Sequence, residues 1–237
     1  MPSFEHDGAT IHYEETGSGP ALLALAPGGM RSAADLWVNA PFDPRVEFAD
    51  LCRVISMDQR NAGASTGPIE ADHGWHTYIA DQLALLDHLG LEQCTVMGMC
   101  IGGPFCLGLM QAAPERITGA VVLQSVGAAD NRGLFHQMYD GWMNDLRPQR
   151  PDVTEDAWAG LRSNLFDGDF VFSVSREFVR GCETPMLLTR GNDDFHPAAV
   201  SEELAELAPN AELVREWKEG AARDAAIERI RDFPVRG

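Results

Sequence analysis

The feature that most constrains this chain is the segment Gly98-Met99-Cys100-Ile101-Gly102-Gly103, in which glycines surround a cysteine. The apolar residues 95–99 predict a buried strand before it, and the apolar segment 104–113 predicts a helix after it. A residue at the tip of a sharp strand-to-helix turn needs strained backbone angles, and small neighbours avoid the clashes that such a turn creates. The spacing therefore predicts that the Cys100 sulfur sits at the end of a strand, beside the N-terminus of a helix.

Cys100 in such a turn is a candidate nucleophile. A helix N-terminus stabilises a thiolate and lowers its pKa, and the amide of Ile101 would face a developing oxyanion. A thiol with an ordinary pKa of ~8.5 needs only a modest depression to ionise, whereas a serine hydroxyl is inert without a base. The alternative, a buried cysteine that acts as a small hydrophobic residue, is the interpretation we prefer for Cys52, Cys94 and Cys106.

Strand-like and helix-like segments alternate along the rest of the chain. Strands are predicted over residues 10–15, 21–26, 52–57, 95–99, 119–124, 185–189 and, from a weaker pattern, 211–216; helices are predicted over 77–89, 104–113, 197–207 and 221–233. Continuous apolar strands suit a parallel sheet that is covered on both faces. We therefore predict an α/β fold with a doubly wound, mostly parallel sheet, in a single domain over residues 1–237.

The segment 130–182 interrupts this alternation. It contains no clear strand, and its apolar residues recur at helical spacing, with Thr154 as a candidate helix N-cap. We predict a small helical cap over the carboxyl ends of the strands, where open α/β sheets bind ligands. Phe135, Trp142 and Phe172 are candidate lining residues for an apolar acyl or aromatic substrate, although most aromatic residues here would simply form core.

Composition narrows the expected partners. Thirty-six acidic against eighteen basic residues give a net charge of −18, which excludes nucleic acid and anionic membranes as partners. Five cysteines without a paired spacing indicate reduced thiols and a cytoplasmic location. We find no signal peptide, membrane span, phosphate-binding loop or zinc spacing, and we predict no cofactor and no metal. The expected partner is a small-molecule substrate, and a homodimer is left open.

Four landmarks resemble the α/β-hydrolase superfamily. They are the loop of residues 26–30 after the second predicted strand, the turn of residues 58–65, the cysteine turn itself, and the segment of residues 191–194. The turn of residues 58–65 is similar to a D-x-R-G-x-G-x-S motif in which Asn61 replaces the first glycine. A cysteine at the tip of this turn is similar to the arrangement in dienelactone hydrolases. The GxCxGG pattern is also similar to polyhydroxyalkanoate synthases, for which this chain is short.

The resemblance implies roles for particular residues. The oxyanion would be held by the amides of Ile101 and Gly29, together with Met30 as a further candidate. The triad acid would be Asp194, with Asp193 as the alternative, and it would orient a histidine.

The histidine is the departure from the family pattern, because residues 197–237 contain none. His196, two residues after Asp194, is the first candidate for the general base. His76 and His136 are the alternatives, the first before a helix near the same sheet end and the second in the cap. His6, His12 and His88 are expected to be structural or solvated.

These features predict hydrolysis of a small ester, lactone or thioester through a cysteine acyl-enzyme intermediate. Two alternatives stay open at this point. One is acyl transfer from the same intermediate to an amine, alcohol or thiol. The other is a non-catalytic ligand-binding protein on the same scaffold, since fold does not fix function.

Overall fold

The computed structural model describes residues 2–233. In this range eight strands form one sheet in the order β1-β2-β4-β3-β5-β6-β7-β8. The strands are β1 (Ser3–His6), β2 (Ala9–Gly17), β3 (Ala21–Leu25), β4 (Arg53–Met57), β5 (Cys94–Met99), β6 (Ile117–Leu123), β7 (Met186–Thr189) and β8 (Ala211–Val214). β2 is antiparallel to both of its neighbours, β1 and β4, and the pairs from β4 to β8 are parallel.

Helices connect the strands and cover both faces of the sheet. They are α1 (Pro44–Glu47), α2 (Trp75–His88), α3 (Gly102–Ala112), α4 (Arg132–Leu146), α5 (Glu155–Phe166), α6 (Arg176–Gly181), α7 (Ala198–Leu207) and α8 (Gly220–Asp232). Short 3₁₀ turns span Gly29–Arg31, Ala34–Asn39 and Arg147–Gln149. None of the helices in residues 2–233 is both long enough and apolar enough to cross a bilayer.

Side chains of successive strand residues point to opposite faces, and β3 shows the result. Leu23 and Leu25 belong to one buried apolar cluster, and Leu22 and Ala24 belong to another on the other face. All four are at most 1% exposed. The near-continuous apolar sequence of this strand is therefore explained by burial on both sides.

The predicted α/β fold with a mostly parallel, doubly covered sheet is confirmed, and two elements were missed. β1 has four residues, of which only Phe4 is buried, so its pattern is too short to separate it from a polar N-terminus. α1 is a single turn with Pro44 in its first turn and Asp43 as its N-cap. The last strand ends at Val214 rather than at residue 216.

The topology brings three loops to one edge of the sheet. β3, β5 and β7 are parallel, so the residues that follow each of them emerge at the same edge. The segment between β6 and β7 is helical in α4, α5 and α6, as expected for 130–182. Thr154 caps α5 by accepting a hydrogen bond from the Ala157 amide at 3.1 Å.

Candidate active site

The turn after β5 has the strained geometry that its glycines predict. Cys100 has φ of 61°, a left-handed value that is uncommon outside glycine. A Cβ on Gly98 would lie 2.1 Å from the Gly102 carbonyl oxygen, and one on Gly102 would lie 2.4 Å from the Leu25 carbonyl oxygen. Both positions therefore require glycine, and the predicted strand–turn–helix around Cys100 is confirmed.

The Cys100 thiol lies in a buried environment that favours its ionised form. Burial alone would raise its pKa, but a hydrogen bond and the positive charge from His196 oppose that effect, as do the backbone amides of Gly28 and Ile101. As a result the pKa of the Cys100 thiol lies below its ordinary value. The thiols of Cys52, Cys94 and Cys106 show the contrast, because burial raises the pKa of each.

His196 is held between an acid and the thiol. Its Nδ1 lies 2.7 Å and 2.9 Å from the two carboxylate oxygens of Asp193. Its Nε2 is buried and has no well-formed hydrogen bond within residues 2–233, and the nearness of the ring to the Cys100 sulfur lowers the pKa of that thiol. Burial would lower the pKa of His196, but Cys100 and Asp193 outweigh burial and raise it above its ordinary value. The thiol and the imidazole therefore each favour the charged form of the other.

The carboxylate that meets His196 is Asp193, the alternative, and not Asp194. Asp193 Oδ1 also accepts hydrogen bonds from the amides of Phe195 and His196, both at 3.0 Å, so the loop folds around this side chain. Asp194 is exposed and its carboxylate makes no hydrogen bond or ion pair within residues 2–233; it lines an open surface groove of about 560 Å³ that Asp193 also borders, and its carbonyl oxygen accepts from Asn131 Nδ2 at 2.8 Å. The local geometry of the turn determines which of the two aspartates meets His196, and the number of residues between Gly191 and the acid does not reveal this geometry.

Two backbone amides lie at the Cys100 sulfur, one from each of the two expected loops, and one of these two donor residues differs from the prediction. The amide of Ile101, an expected oxyanion donor, faces the sulfur, and the other amide there is that of Gly28 rather than Gly29 or Met30. Gly28 has φ of 116°, and Gly29 and Met30 begin the 3₁₀ turn that follows it. The left-handed conformation at Gly28 turns its N–H toward Cys100 before that turn starts.

The loop that carries Gly28 is fixed by the turn after β4. Asp58 Oδ1 accepts from the Ala34 amide at 2.9 Å, and Oδ2 accepts from the Ala64 amide at 2.8 Å. Asn61, which replaces a glycine of the family pattern, has φ of 61°, a conformation that asparagine tolerates. Its Oδ1 accepts from the Gly67 amide at 3.0 Å, so this departure keeps the turn intact.

The two alternative histidines do not join this group. His76 is exposed at the start of α2, where its Nε2 lies 3.4 Å from the hydroxyl of Thr77. His136 pairs through Nε2 with Asp167 Oδ1 at 2.8 Å, on the surface. Neither ring contacts Cys100.

Aromatic side chains surround His196 on the side of the helical segment. Phe135 packs edge-to-face against Phe172 at 4.9 Å and against Phe195 at 5.6 Å, and Phe195 lies 6.4 Å from the His196 ring. Trp142 lies elsewhere, because its indole donates to the Asn61 carbonyl at 3.2 Å. Phe135 and Phe172 thus belong near the site, and Trp142 fastens α4 to the turn after β4.

Sequence reasoning missed three residues at this site: Gly28, Met138 and Phe195. A Cβ on Gly29 would lie 2.6 Å from the Met138 sulfur, so this methionine of α4 rests directly on the loop that supplies Gly28. Phe195 could have been found from its position beside His196, but no sequence signal marks Met138.

One group in residues 2–233 has the residue types and spacing to hold a metal ion, namely Glu70, Asp72 and His73. Both carboxylates are exposed, and the group shares no residue with the Cys100 site.

A family model described as alpha/beta hydrolase fold matches residues 25–180. The chain belongs to this family. The eight-stranded, mostly parallel sheet flanked by helices is the fold of this family.

Several curated relatives have similar sequences. A putative carbamate hydrolase, RutD, of Azorhizobium caulinodans is 30% identical over 250 residues, which cover 92% of this chain and 90% of that protein. A 2-hydroxymuconate semialdehyde hydrolase of Pseudomonas putida is 31% identical, with 68% and 67% covered. A putative non-heme bromoperoxidase of Mycobacterium tuberculosis is 29% identical over 65% of this chain, but the match spans only 56% of that relative.

Solved structures show the same fold. An enol-lactonase from Burkholderia xenovorans has a TM-score of 0.73 at 20% identity, with 99% of this chain and all of that chain covered. An enzyme described as degrading N-acyl homoserine lactones has a TM-score of 0.71 at 23% identity, covering 98% and 100%. At these identities the likeness concerns the fold alone.

Proposed function

We propose that this α/β hydrolase cleaves a small ester, lactone or thioester through a covalent intermediate on Cys100. The observation that carries the proposal is the arrangement of one sulfur between His196, itself paired with Asp193, and the amides of Gly28 and Ile101. This arrangement supplies a nucleophile, a proton carrier and an oxyanion site at one place.

In the first half-reaction the Cys100 thiolate attacks the substrate carbonyl carbon and a carbon–sulfur bond forms. The carbonyl electron pair moves to oxygen, and the amides of Gly28 and Ile101 hold the resulting oxyanion. When this intermediate collapses, the bond to the leaving group breaks, and His196 Nε2 gives its proton to the departing oxygen or sulfur. A thioester between the acyl group and Cys100 remains.

In the second half-reaction water attacks the thioester carbonyl while His196 Nε2 accepts a proton from it. The same amides hold the second oxyanion. Collapse breaks the carbon–sulfur bond, releases a carboxylic acid and restores the thiolate–imidazolium pair. Asp193 stays ionised throughout and keeps Nδ1 of His196 in place. Burial would raise the pKa of this carboxyl, but the hydrogen bond and charge of His196 outweigh burial, so the pKa lies below its ordinary value.

The surroundings of the thiol support a compact, largely apolar acyl group. Met138, Phe135 and Phe172 come from the helical segment over the sheet edge, which we propose acts as a cap. Among the relatives is a protein named as a putative carbamate hydrolase, and a carbamate, like an ester, is cleaved at an acyl carbon. All five cysteines lie within residues 2–233 and are free, which supports a reducing compartment such as the cytoplasm.

A panel of activated esters, lactones and thioesters tests the proposal with the purified chain. We expect turnover of at least one class, and the Cys100→Ala variant should lose it by roughly 10³-fold or more, because the nucleophile is gone. Cys182→Ala is the matched control, since this buried cysteine is the C-cap of α6 and is not among the groups that shift the pKa of Cys100, and it should keep full activity. Mass spectrometry of the quenched reaction should show an acyl adduct on the peptide that contains Cys100.

Two results would contradict the proposal. Full activity of Cys100→Ala would show that the sulfur is not the nucleophile. An ordinary rate of reaction between iodoacetamide and Cys100 at about pH 6 would instead favour a ligand-binding protein, because the thiolate would be absent. Product analysis with an added amine or thiol separates hydrolysis from acyl transfer.

A further inference from the structure

The loop after β8 is where the family resemblance expects a histidine, and this chain has Trp217 and Lys218 there. Lys218 is the only lysine among 237 residues, beside seventeen arginines. Both side chains reach across to the loop that follows β7, which carries Asp193 and His196.

Trp217 is anchored in the core. It is 2% exposed, and its ring packs edge-to-face against Phe42 at 6.4 Å. Its indole Nε1 donates a 2.9 Å hydrogen bond to the carbonyl oxygen of Arg190, the first residue after β7. A rigid, buried donor of this kind fixes the point where the loop of residues 190–196, here called the catalytic loop, leaves the sheet.

Lys218 holds the same loop two residues further on. Its Nζ donates to Asn192 Oδ1, and the ammonium lies 5.7 Å from the centre of the Trp217 ring, within reach of a cation–π interaction. Asn192 directly precedes Asp193, so the lysine contact ends one residue from the carboxylate that binds His196.

Other restraints on this loop come from within it, from α7 and from Asn131, whose side chain donates to the Asp194 carbonyl oxygen. The Gly191 amide donates to Ser201 Oγ at 3.1 Å, and the His196 amide donates to the Asp193 carbonyl at 3.1 Å. Because acid and base share one short loop, any displacement of that loop moves both groups relative to the Cys100 sulfur. A loop of this kind needs outside contacts to keep its position.

We propose that Trp217 and Lys218 are positioning residues for the Asp193–His196 pair, so that the loop after β8 braces the catalytic loop instead of supplying its histidine. The inference rests on the proposed function, since it assigns Asp193 and His196 their roles. Neither residue touches the reacting atoms, and both act through Arg190 and Asn192.

The reactivity of Cys100 toward iodoacetamide tests this inference without knowledge of the substrate. The pH profile of alkylation, read on the Cys100 peptide by mass spectrometry, gives the apparent pKa of the thiol. In Lys218→Met we expect this profile to move to higher pH and the rate near neutrality to fall about threefold to tenfold, as a shift of half a unit to one unit requires. Lys218→Arg should restore most of the rate, because it keeps the charge and the donors.

Arg223→Met is the matched control. Arg223 lies near the start of α8, five residues after Lys218, and its guanidinium pairs with Asp224. It should leave the profile unchanged, which separates loss of the loop contact from loss of one positive charge. Trp217→Phe keeps the ring in the core but removes the indole donor, and it should shift the profile in the same direction as Lys218→Met, with thermal melting to confirm that it folds.

The outcomes distinguish this inference from the proposed function. A Lys218→Met profile identical to that of the parent chain, or an equal shift in Arg223→Met, would overturn the positioning role while leaving Cys100 as the nucleophile. Ordinary thiol reactivity in the parent chain would instead remove the proposed function itself.

Discussion

At the scale of single residues, the spacing between Asp193 and His196 is the unusual feature of this α/β hydrolase. Two residues separate them, and a turn closed by hydrogen bonds between their own backbones brings the carboxylate to the imidazole at 2.7 Å. The acid and the base that we propose therefore come from one loop. A substitution in this loop can displace both the carboxylate and the imidazole. The catalytic role of one residue is therefore tested by comparing its variant with a variant of the adjacent residue.

The two neighbouring aspartates make such a comparison. Asp193→Asn should lower kcat by roughly 10²- to 10⁴-fold, because the amide no longer favours the imidazolium or orients Nδ1. Asp194→Asn should stay within about twofold of the parent chain, since its side chain lies in an open groove and has no charged partner there. Steady-state kinetics on an active ester measure both. A larger loss in Asp194→Asn than in Asp193→Asn would restore Asp194 as the acid.

The pKa shifts predict how activity depends on pH. The pKa of the Cys100 thiol is lowered and that of the His196 imidazole is raised, so each shift favours the pH range in which thiolate and imidazolium are populated together. Activity should rise as pH increases through the lowered pKa of the thiol, and fall as pH increases through the raised pKa of the imidazole.

The variant His196→Ala tests the same coupling from one side. Without the imidazolium the thiolate loses its main stabilising partner, while burial still opposes ionisation. The pH at half-maximal alkylation of Cys100 should therefore move upward, and iodoacetamide kinetics between about pH 5 and pH 10 will show it. An unchanged midpoint would mean that the amides of Gly28 and Ile101 alone ionise the sulfur.

At the scale of secondary-structure elements, the placement of α4 decides what can reach the thiol. This helix packs on the 3₁₀ turn Gly29–Arg31, where Met138 rests against Gly29. An ion pair between Arg31 and Asp145 holds the far end of the same helix, and the Trp142 indole fastens its middle to Asn61. The oxyanion loop is thus covered by one helix, and the side chain that meets it is flexible and unbranched.

Met138→Ala should enlarge the space beside the oxyanion loop and shift substrate preference toward longer acyl chains. We expect kcat/KM for a six- or eight-carbon p-nitrophenyl ester to rise relative to the acetate ester by about 10-fold, the effect of one or two methylenes accommodated in an apolar pocket. Met143→Ala is the control, because it lies on the same helix but faces a groove with Tyr139 and Arg147. An unchanged chain-length preference in Met138→Ala would show that this side chain does not border the acyl group.

At the scale of the whole molecule, a buried ion pair connects distant parts of the chain. Arg60 donates to both carboxylate oxygens of Asp81, at 2.8 Å and 2.7 Å, and the two side chains are 2% and 0% exposed. His6 of β1 also meets Asp81, at 2.8 Å. The N-terminal strand, the turn after β4 and α2 therefore converge on one carboxylate.

Asp81→Asn should destabilise the chain by about 3–5 kcal/mol, because it leaves the Arg60 guanidinium buried without its counter-charge. Asp87→Asn, on the same helix, removes an exposed pairing with Arg116 and should cost no more than about 1 kcal/mol. Urea denaturation with a common m-value measures both changes. Equal effects of the two substitutions would indicate that the buried network contributes little.

The sequence by itself determined the elements whose signal is local. The glycines around Cys100 predict the strained turn, because only glycine fits where a Cβ would collide with the backbone of α3 or β3. The continuous apolar strands predict a sheet that is covered on both faces, because a strand buried on both faces does not alternate between polar and apolar side chains. The position of His196 at the sheet edge followed from the predicted β7 and the helix after it.

Only the tertiary structure decided the contacts between loops. That Asp193 rather than Asp194 meets His196, and Gly28 rather than Gly29 meets the sulfur, depends on backbone turns whose direction no residue pattern encodes. Met138, Trp217 and Lys218 reach the catalytic loops from segments distant in sequence, and their roles exist only after folding. The physical reason is that hydrogen-bond geometry at a site is set to within a few tenths of an ångström by long-range packing, whereas sequence patterns report only which residues are buried and how the chain turns locally.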